Sequence, residues 1–282
     1  MLIERYNSNK SLNVLFIAGV HGNELTAMNI CKNLHIKCKQ KSYDKANITF
    51  LNYVNMYGLK RCVRECYSEE NSEDLNRHHF ERNHKHPRDI IYEEINKHDI
   101  IIDIHSSPWI SNFFLINNNS NTDINYFINK NIGYVVRDSD AKTIKNYCLS
   151  LGKLGFTYES SGLRIVDSES SNRGVWDLYS ILNDIEEFYD IQSKAIKLSL
   201  DRKDLLRSCV STCSGFLSYF SRKSLLGKPV MSNEKIITVK DYIHGYSIDM
   251  TSPADGTIVE FIDRDYVNEG DVLFSVQPDL KK

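Results

Sequence analysis

Residues Asn13 to Leu25 read NVLFIAGVHGNEL, and this stretch decides the fold. Asn13 to Val20 is almost wholly apolar, with no alternation. A strand of that kind is covered on both faces, as in a mainly parallel sheet with helices on either side. The run feeds straight into His21, Gly22, Asn23 and Glu24. An imidazole and a carboxylate three residues apart, at the exit of a buried strand, are two ligands of a zinc site that needs a third. Gly22 keeps a side chain away from the metal.

The third candidate is His105. It follows Asp99 to Ile104, DIIIDI, the most apolar later strand. Glu159 ends another strand, Gly155 to Glu159. In open α/β sheets, ligands gather outside the carboxyl ends of the strands. His21, His105 and Glu159 all fall at that edge. Singly, each has a plainer account: a satisfied histidine, a strand cap, an exposed glutamate, or for Glu24 an acid meeting a helix dipole. Jointly they point to Zn2+ held by His21, Glu24 and His105, with a fourth position left for water. Glu159 is then the candidate general base.

Two basic segments complete the constellation. Asp74 to Arg77 reads DLNR, and Asn76 with Arg77 offers an amide and a guanidinium suited to a carboxylate. Arg64 lies twelve residues before Asn76. An arginine beside zinc can stabilise the oxyanion of a tetrahedral intermediate. His78, His79, His84 and His86, in HHFERNHKH, sit in a polar stretch with no strand to anchor them and read as a solvated loop.

The remaining elements alternate. Helices are expected over Leu25 to Leu34, Asp89 to Lys97, Ala141 to Leu151 and Val175 to Ser193, the last as one long amphipathic helix. Strands are expected over Ile48 to Val54, Phe113 to Ile116 and Tyr134 to Arg137. Asn55 to Glu65 reads as a loop or short helix, and Asn117 to Gly133 as a low-complexity loop with a weak helix. From about Ser199 the texture changes to short glycine-punctuated segments. Two rough copies, SGFLSYFSRKSLLGKPVM from Ser214 and DGTIVEFIDRDYVNEGDVLF from Asp255, suggest a small β domain of two halves. The expected division is 1–198 for a zinc hydrolase domain and 199–282 for the β domain.

Composition narrows the classes. The 282 residues are 41% hydrophobic and 26% charged, as in a soluble globular protein. A net charge of -2 gives no reason to expect nucleic acid or an anionic membrane as partner. No apolar run reaches the roughly 18 residues of a membrane span. MLIERYNSNK lacks the pattern of a signal peptide, so the expected location is the cytosol. The seven dispersed cysteines argue against a disulfide framework. Cys62/Cys66 and Cys209/Cys213 could be halves of a four-cysteine zinc site; reduced, partly buried thiols are the simpler reading.

Taken together, HGNE, DLNR, DIHS and YESSG resemble the aspartoacylase/succinylglutamate desuccinylase family, over most of the chain. The resemblance implies an α/β fold like that of the zinc carboxypeptidases, with a mixed central sheet and a C-terminal β domain similar to biotinyl/lipoyl barrels. It implies one zinc per chain on His21, Glu24 and His105. Within NMYGLKRCVR, from Asn55, it gives Arg64 the oxyanion role. Asn76 and Arg77 hold the substrate's α-carboxylate, and Glu159 shuttles the proton. The expected activity is hydrolysis of the amide of a small N-acyl amino acid, with a homo-oligomer compatible. A zinc carboxypeptidase and a non-catalytic zinc-binding relative are the alternatives. Three features depart from the family: Met56 replaces a proline, CYSEENSE lengthens the link to DLNR, and no arginine matches the one for an aspartate side chain, Arg164 being near but unassigned. The lysines between the two β halves, Lys235 and Lys240, sit in no carrier hairpin, so the β domain is expected to shield the zinc.

Overall fold

The structure, a computed structural model, describes residues 1–6, 9–67, 72–77, 86–117, 126, 130, 134–138, 142–197, 206–218 and 222–278. His78, His79, His84 and most of the Asn117 to Gly133 stretch lie outside these residues.

The chain opens with β1 (Leu2–Tyr6) and β2 (Asn13–Ala18), then α1 (Leu25–Gln40), β3 (Asn47–Asn52) and α2 (Met56–Arg61). Two short antiparallel strands, β4 (Cys66–Tyr67) and β5 (Ser72–Glu73), precede α3 (Pro87–Asn96). Then come β6 (Ile100–Ser107), β7 (Trp109–Asn117), β8 (Tyr134–Asp138), α4 (Ile144–Ser150) and β9 (Leu154–Ser161). The expected single helix from Val175 is two, α5 (Ser168–Asn183) and α6 (Ile185–Lys197), separated at Asp184, which leaves helical geometry at φ -122 and ψ 33.

The apolar strands behave as their burial requires. β2 pairs in parallel with β3 on one side and β6 on the other, and β6 pairs in parallel with β9. Alternate residues of β2 enter different cores. Val14, Phe16 and Ala18 pack with Ile30 and Leu34 of α1 and with Leu178 and Ile181 of α5. Leu15 and Ile17 pack with Ile91 and Ile95 of α3 and Ile144 of α4. Both faces are therefore dry, which explains why the run does not alternate. Each fully buried Leu or Ile contributes about 1.5–3 kcal/mol. The result is a mixed α/β fold with helices on both sides of a central sheet.

The C-terminal part begins with β10 (Arg207–Val210), β11 (Gly215–Leu217), a 3-10 turn (Arg222–Leu225) and β12 (Pro229–Val230). It continues through β13 (Lys235–Asp241), β14 (Tyr246–Thr251), β15 (Gly256–Ile262), β16 (Tyr266–Val267) and β17 (Val272–Pro278). The two similar segments interlock, since β11 pairs with β16 and β12 with β15. These strands are not separate from the first sheet. β7 runs antiparallel to β9 and also to β15, so one sheet has the order β1-β3-β2-β6-β9-β7-β15-β17-β10 among the described residues. A second sheet, β14-β13-β11-β16, stands beside it.

Gly22 marks where the loop after β2 meets α2. A Cβ there would lie 2.1 Å from the Gly58 carbonyl carbon and 2.2 Å from Leu59 N. The glycine thus makes room for backbone, where the sequence suggested room for metal. Gly22→Ala must push α2 away from the HGNE loop, and about 2 kcal/mol of overpacking should lower Tm by roughly 4–8 °C. Thermal denaturation checks this; an unchanged Tm would mean that the contact yields freely.

Candidate metal centre and active site

His21, Glu24 and His105 come together. Among the described residues they are the one group of His, Cys, Asp and Glu side chains placed to hold a metal, with donor atoms within 4.8 Å of one another. All three are buried. His21 and Glu24 follow β2, and His105 lies in β6, the strand paired with β2. Glu24 Oε1 is 2.7 Å from His21 Nδ1, and Oε2 is 2.9 Å from His105 Nδ1. The two Nδ1 atoms face each other at 3.1 Å. Glu24 Oε2 also accepts the Ser106 amide at 3.0 Å, which fixes the carboxylate.

The outward nitrogens are engaged as well. His21 Nε2 lies 2.9 Å from Asp74 Oδ1, and His105 Nε2 lies 2.6 Å from Asp103 Oδ2. Carboxylates behind ligating histidines hold the ring proton on the far nitrogen and raise the basicity of the near one. With their protons on Nε2, the two rings aim Nδ1 lone pairs at each other and at a carboxylate. That arrangement calls for a cation between them, and a buried two-imidazole, one-carboxylate set suits zinc. The electrostatics agree. Burial alone would depress the His105 pKa, but Asp103 and Glu24 overcome it and hold the value well above the ordinary one. Burial likewise pushes Glu24 up, yet the two imidazoles keep its carboxyl below the usual range.

Around this cluster is a cavity of about 470 Å³, lined by Arg64, Asn76, Arg77 and Glu159 together with the three donors. All the expected site residues therefore border one space. Glu159 stands opposite His105 in the β6–β9 ladder. Burial pushes its carboxyl up to about 7; the histidines pull it down, while Glu24 and Glu260 add to the rise. Arg64 reaches Asp74 Oδ2 with Nη2 at 3.0 Å and Nε at 3.3 Å, and its Nη1 is 3.5 Å from Glu24 Oε1. Its carbonyl accepts from Gly22 N and from Asn55 Nδ2. That ties the arginine segment to the HGNE loop. Asn55 also caps α2, accepting from Gly58 N at 2.8 Å, so Met56 after it needs no proline to shape the turn. Asn76 Oδ1 accepts from Ile144 N at the start of α4, which leaves its amide NH2 near His105.

Other expectations fall elsewhere. His86 caps α3 and pairs with Glu73 at 2.6 Å. Arg164 donates its backbone N–H to Asn23 O and is held at φ 61; its side chain does not line the cavity. All seven cysteines are free thiols.

The structure adds residues that the sequence did not single out. Asp103 is hidden inside DIIIDI, where a mid-strand acid next but one to a histidine was the available signal. Asp74 opens DLNR, and it serves His21 and Arg64 at once. Lys145, 1% exposed, and Asn23 also line the cavity. Lys145 reaches the site through the packing of α4 on β9, a contact between distant segments that no local pattern announces.

Among the described residues, no helix is long and apolar enough to cross a membrane. No curated protein matches the chain in sequence. Solved structures do match in fold. A succinylglutamate desuccinylase/aspartoacylase from Rhodobacter sphaeroides is 14% identical over 96% of this chain and 86% of its own, with a TM-score of 0.69. A family protein from Shewanella amazonensis SB2B is 15% identical, covers 98% and 93%, and gives 0.68. The ectoine utilization protein EutE (DoeB) from Ruegeria pomeroyi, in its product-bound form, is 15% identical, covers 95% and 86%, and gives 0.67. The sequence profile of the succinylglutamate desuccinylase/aspartoacylase catalytic domain matches residues 10–182, most of the chain and a span that includes His21 to Glu159. The chain belongs to the succinylglutamate desuccinylase/aspartoacylase family, a family of hydrolytic deacylases.

Proposed function

We propose that this chain is a zinc-dependent amidohydrolase that removes the acyl group from an N-acyl amino acid. One observation carries the reading. His21 and His105 are each backed by a carboxylate on Nε2 and turn Nδ1 toward Glu24, with Glu159 one strand away. His21, Glu24 and His105 would hold the zinc, which when bound supplies Lewis acidity toward the scissile carbonyl and toward water. Glu159 takes a proton from the attacking water and returns it to the departing amine as the C–N bond breaks, so that amide and water become carboxylic acid and amine. The acid's proton then passes to the amine to leave carboxylate and ammonium. Arg64 stands beside Glu24 and meets the negative charge that develops on the carbonyl oxygen. Asn76 and Arg77 hold the α-carboxylate, and positioning supplies part of the rate. Arg64, Arg77 and Lys145 around one cavity favour an anionic substrate over a neutral one.

We read residues 1–198 as the catalytic part and 199–282 as the part that narrows the approach. The β7–β15 pairing bears on the second role alone: it joins both parts in one sheet and so holds the C-terminal strands against the catalytic ones. The test is amine release from N-acetyl, N-succinyl and longer-chain acyl amino acids beside short peptides. Turnover of at least one acyl amino acid should be lost to a chelator and restored by zinc. If the zinc-loaded protein cuts peptides and no acyl amino acid, the reading is wrong.

A further inference from the structure

The sheet face that carries the site residues continues past the catalytic strands. Residues opposite one another in a ladder project to the same side, and residues two apart along a strand share a face. His105 is opposite Glu159, and Glu159 is opposite position 113 of β7. Counting back in twos from 113 reaches Trp109, which is opposite Ile262 of β15. One face therefore runs from His105 through Glu159 and Trp109 to Ile262.

Two cavities border this face. The first is lined by His21, Glu24, His105 and Glu159. The second, about 330 Å³, is lined by Ile262, Asp263, Arg264, Gly270, Asp271 and Val272. Pro108 and Trp109 line both. Trp109 also packs against the core of the C-terminal strands, so its ring is braced from that side. Arg264 and Asp271 pair with each other at 2.5 Å, which leaves the second cavity little call for a charged guest. Its wall at Gly270 is open, since a Cβ there would meet nothing within 4 Å. A volume of this size is at the low end for a small-molecule site.

We propose that Trp109 is a specificity-determining residue that limits acyl length, and that the second cavity is a subsite for a longer, apolar acyl chain kept out by that ring. This rests on the deacylase reading above. Arg64 and the Asn76–Arg77 pair come from segments that follow β3, whereas Trp109 begins β7, beyond Glu159. A substrate held by its α-carboxylate at Asn76 and Arg77 extends its acyl group across the cluster toward Trp109. Wild-type protein then prefers short acyl groups.

The test compares N-acetyl, N-butyryl and N-octanoyl derivatives of one amino acid on the zinc-loaded full chain. Trp109→Ala should raise the octanoyl-to-acetyl ratio of kcat/KM by at least about tenfold, a size typical of apolar pocket discrimination. Adding Val272→Phe in that background should lower the ratio again by refilling the subsite. Octanoate binding to the metal-free protein, followed by calorimetry, should strengthen in Trp109→Ala without any turnover. If Trp109→Ala does not fold, Trp109→Leu removes the bicyclic ring while keeping an apolar brace, and carries the same expectations. A ratio within about twofold of wild type, or a wild type that already prefers octanoyl, overturns the proposal and leaves the deacylase reading standing. Hydrolysis of no acyl amino acid by the wild type overturns that reading instead.

Discussion

Glu159→Gln is expected to retain zinc and to lose activity by about 10²–10⁴-fold, the range a positioned general base contributes. The substitution keeps the shape of the side chain and removes its ability to accept a proton. Its surroundings should hold still. β9 is a central strand, paired with β6 on one side and β7 on the other, and Tyr158 beside it is locked into the core. A drop in rate is then attributable to chemistry. The wild type supplies a second check. A base works only when deprotonated, so the rate must fall toward acid. Burial raises the Glu159 carboxyl to about 7, and a cation bound nearby opposes that rise. The acid limb should therefore lie at or below about pH 7 and vanish from the residual rate of Glu159→Gln. Turnover of that variant within about tenfold of wild type would remove Glu159 from the base role.

The parts of this molecule that could be read in advance are those written in consecutive residues. The largely apolar runs before His21 and His105 announced strands buried on both faces, and the fold places them side by side. His21, His105 and Glu159 were legible because each follows or closes a short apolar run, although the strands run on past two of them: His105 and Glu159 lie two residues inside the ends of β6 and β9, and His21 sits just beyond β2. The supporting residues were not. Asp103 looks like one polar residue in a strand until its neighbour across two positions proves to be buried with it. Lys145 and the Ile144 amide reach the cavity only because α4 lies on β9. The continuation of the sheet into the C-terminal strands depends on residues 109–111 meeting 260–262. The change of texture near Ser199 carries no trace of that pairing. β1 was missed for a different reason: LIERY is a partly exposed edge strand, with no clean apolar face to betray it.

His105→Ala should remove both the metal and much of the stability. As a ligand, His105 supplies one of three protein donors, and two are too few for a tight zinc site. Metal content after purification should fall well below that of the wild type. The second effect comes from what is left behind. Asp103 is 0% exposed, its Oδ1 has no hydrogen-bond partner among the described residues, and its Oδ2 is held by His105. Removing the imidazole leaves a buried carboxylate unanswered, which costs about 3–5 kcal/mol and lowers Tm on the order of 10 °C. Asp103→Asn separates the two effects. It keeps His105 and still offers an oxygen to Nε2–H, but it gives up the charge that strengthens the ligand, so zinc affinity should weaken by about 10–100-fold with a milder loss of stability. Zinc titration and thermal denaturation of both variants decide between roles for His105. If it only braces the core, both variants lose stability and neither loses zinc. If it is a ligand, zinc content falls steeply in His105→Ala and affinity falls measurably in Asp103→Asn.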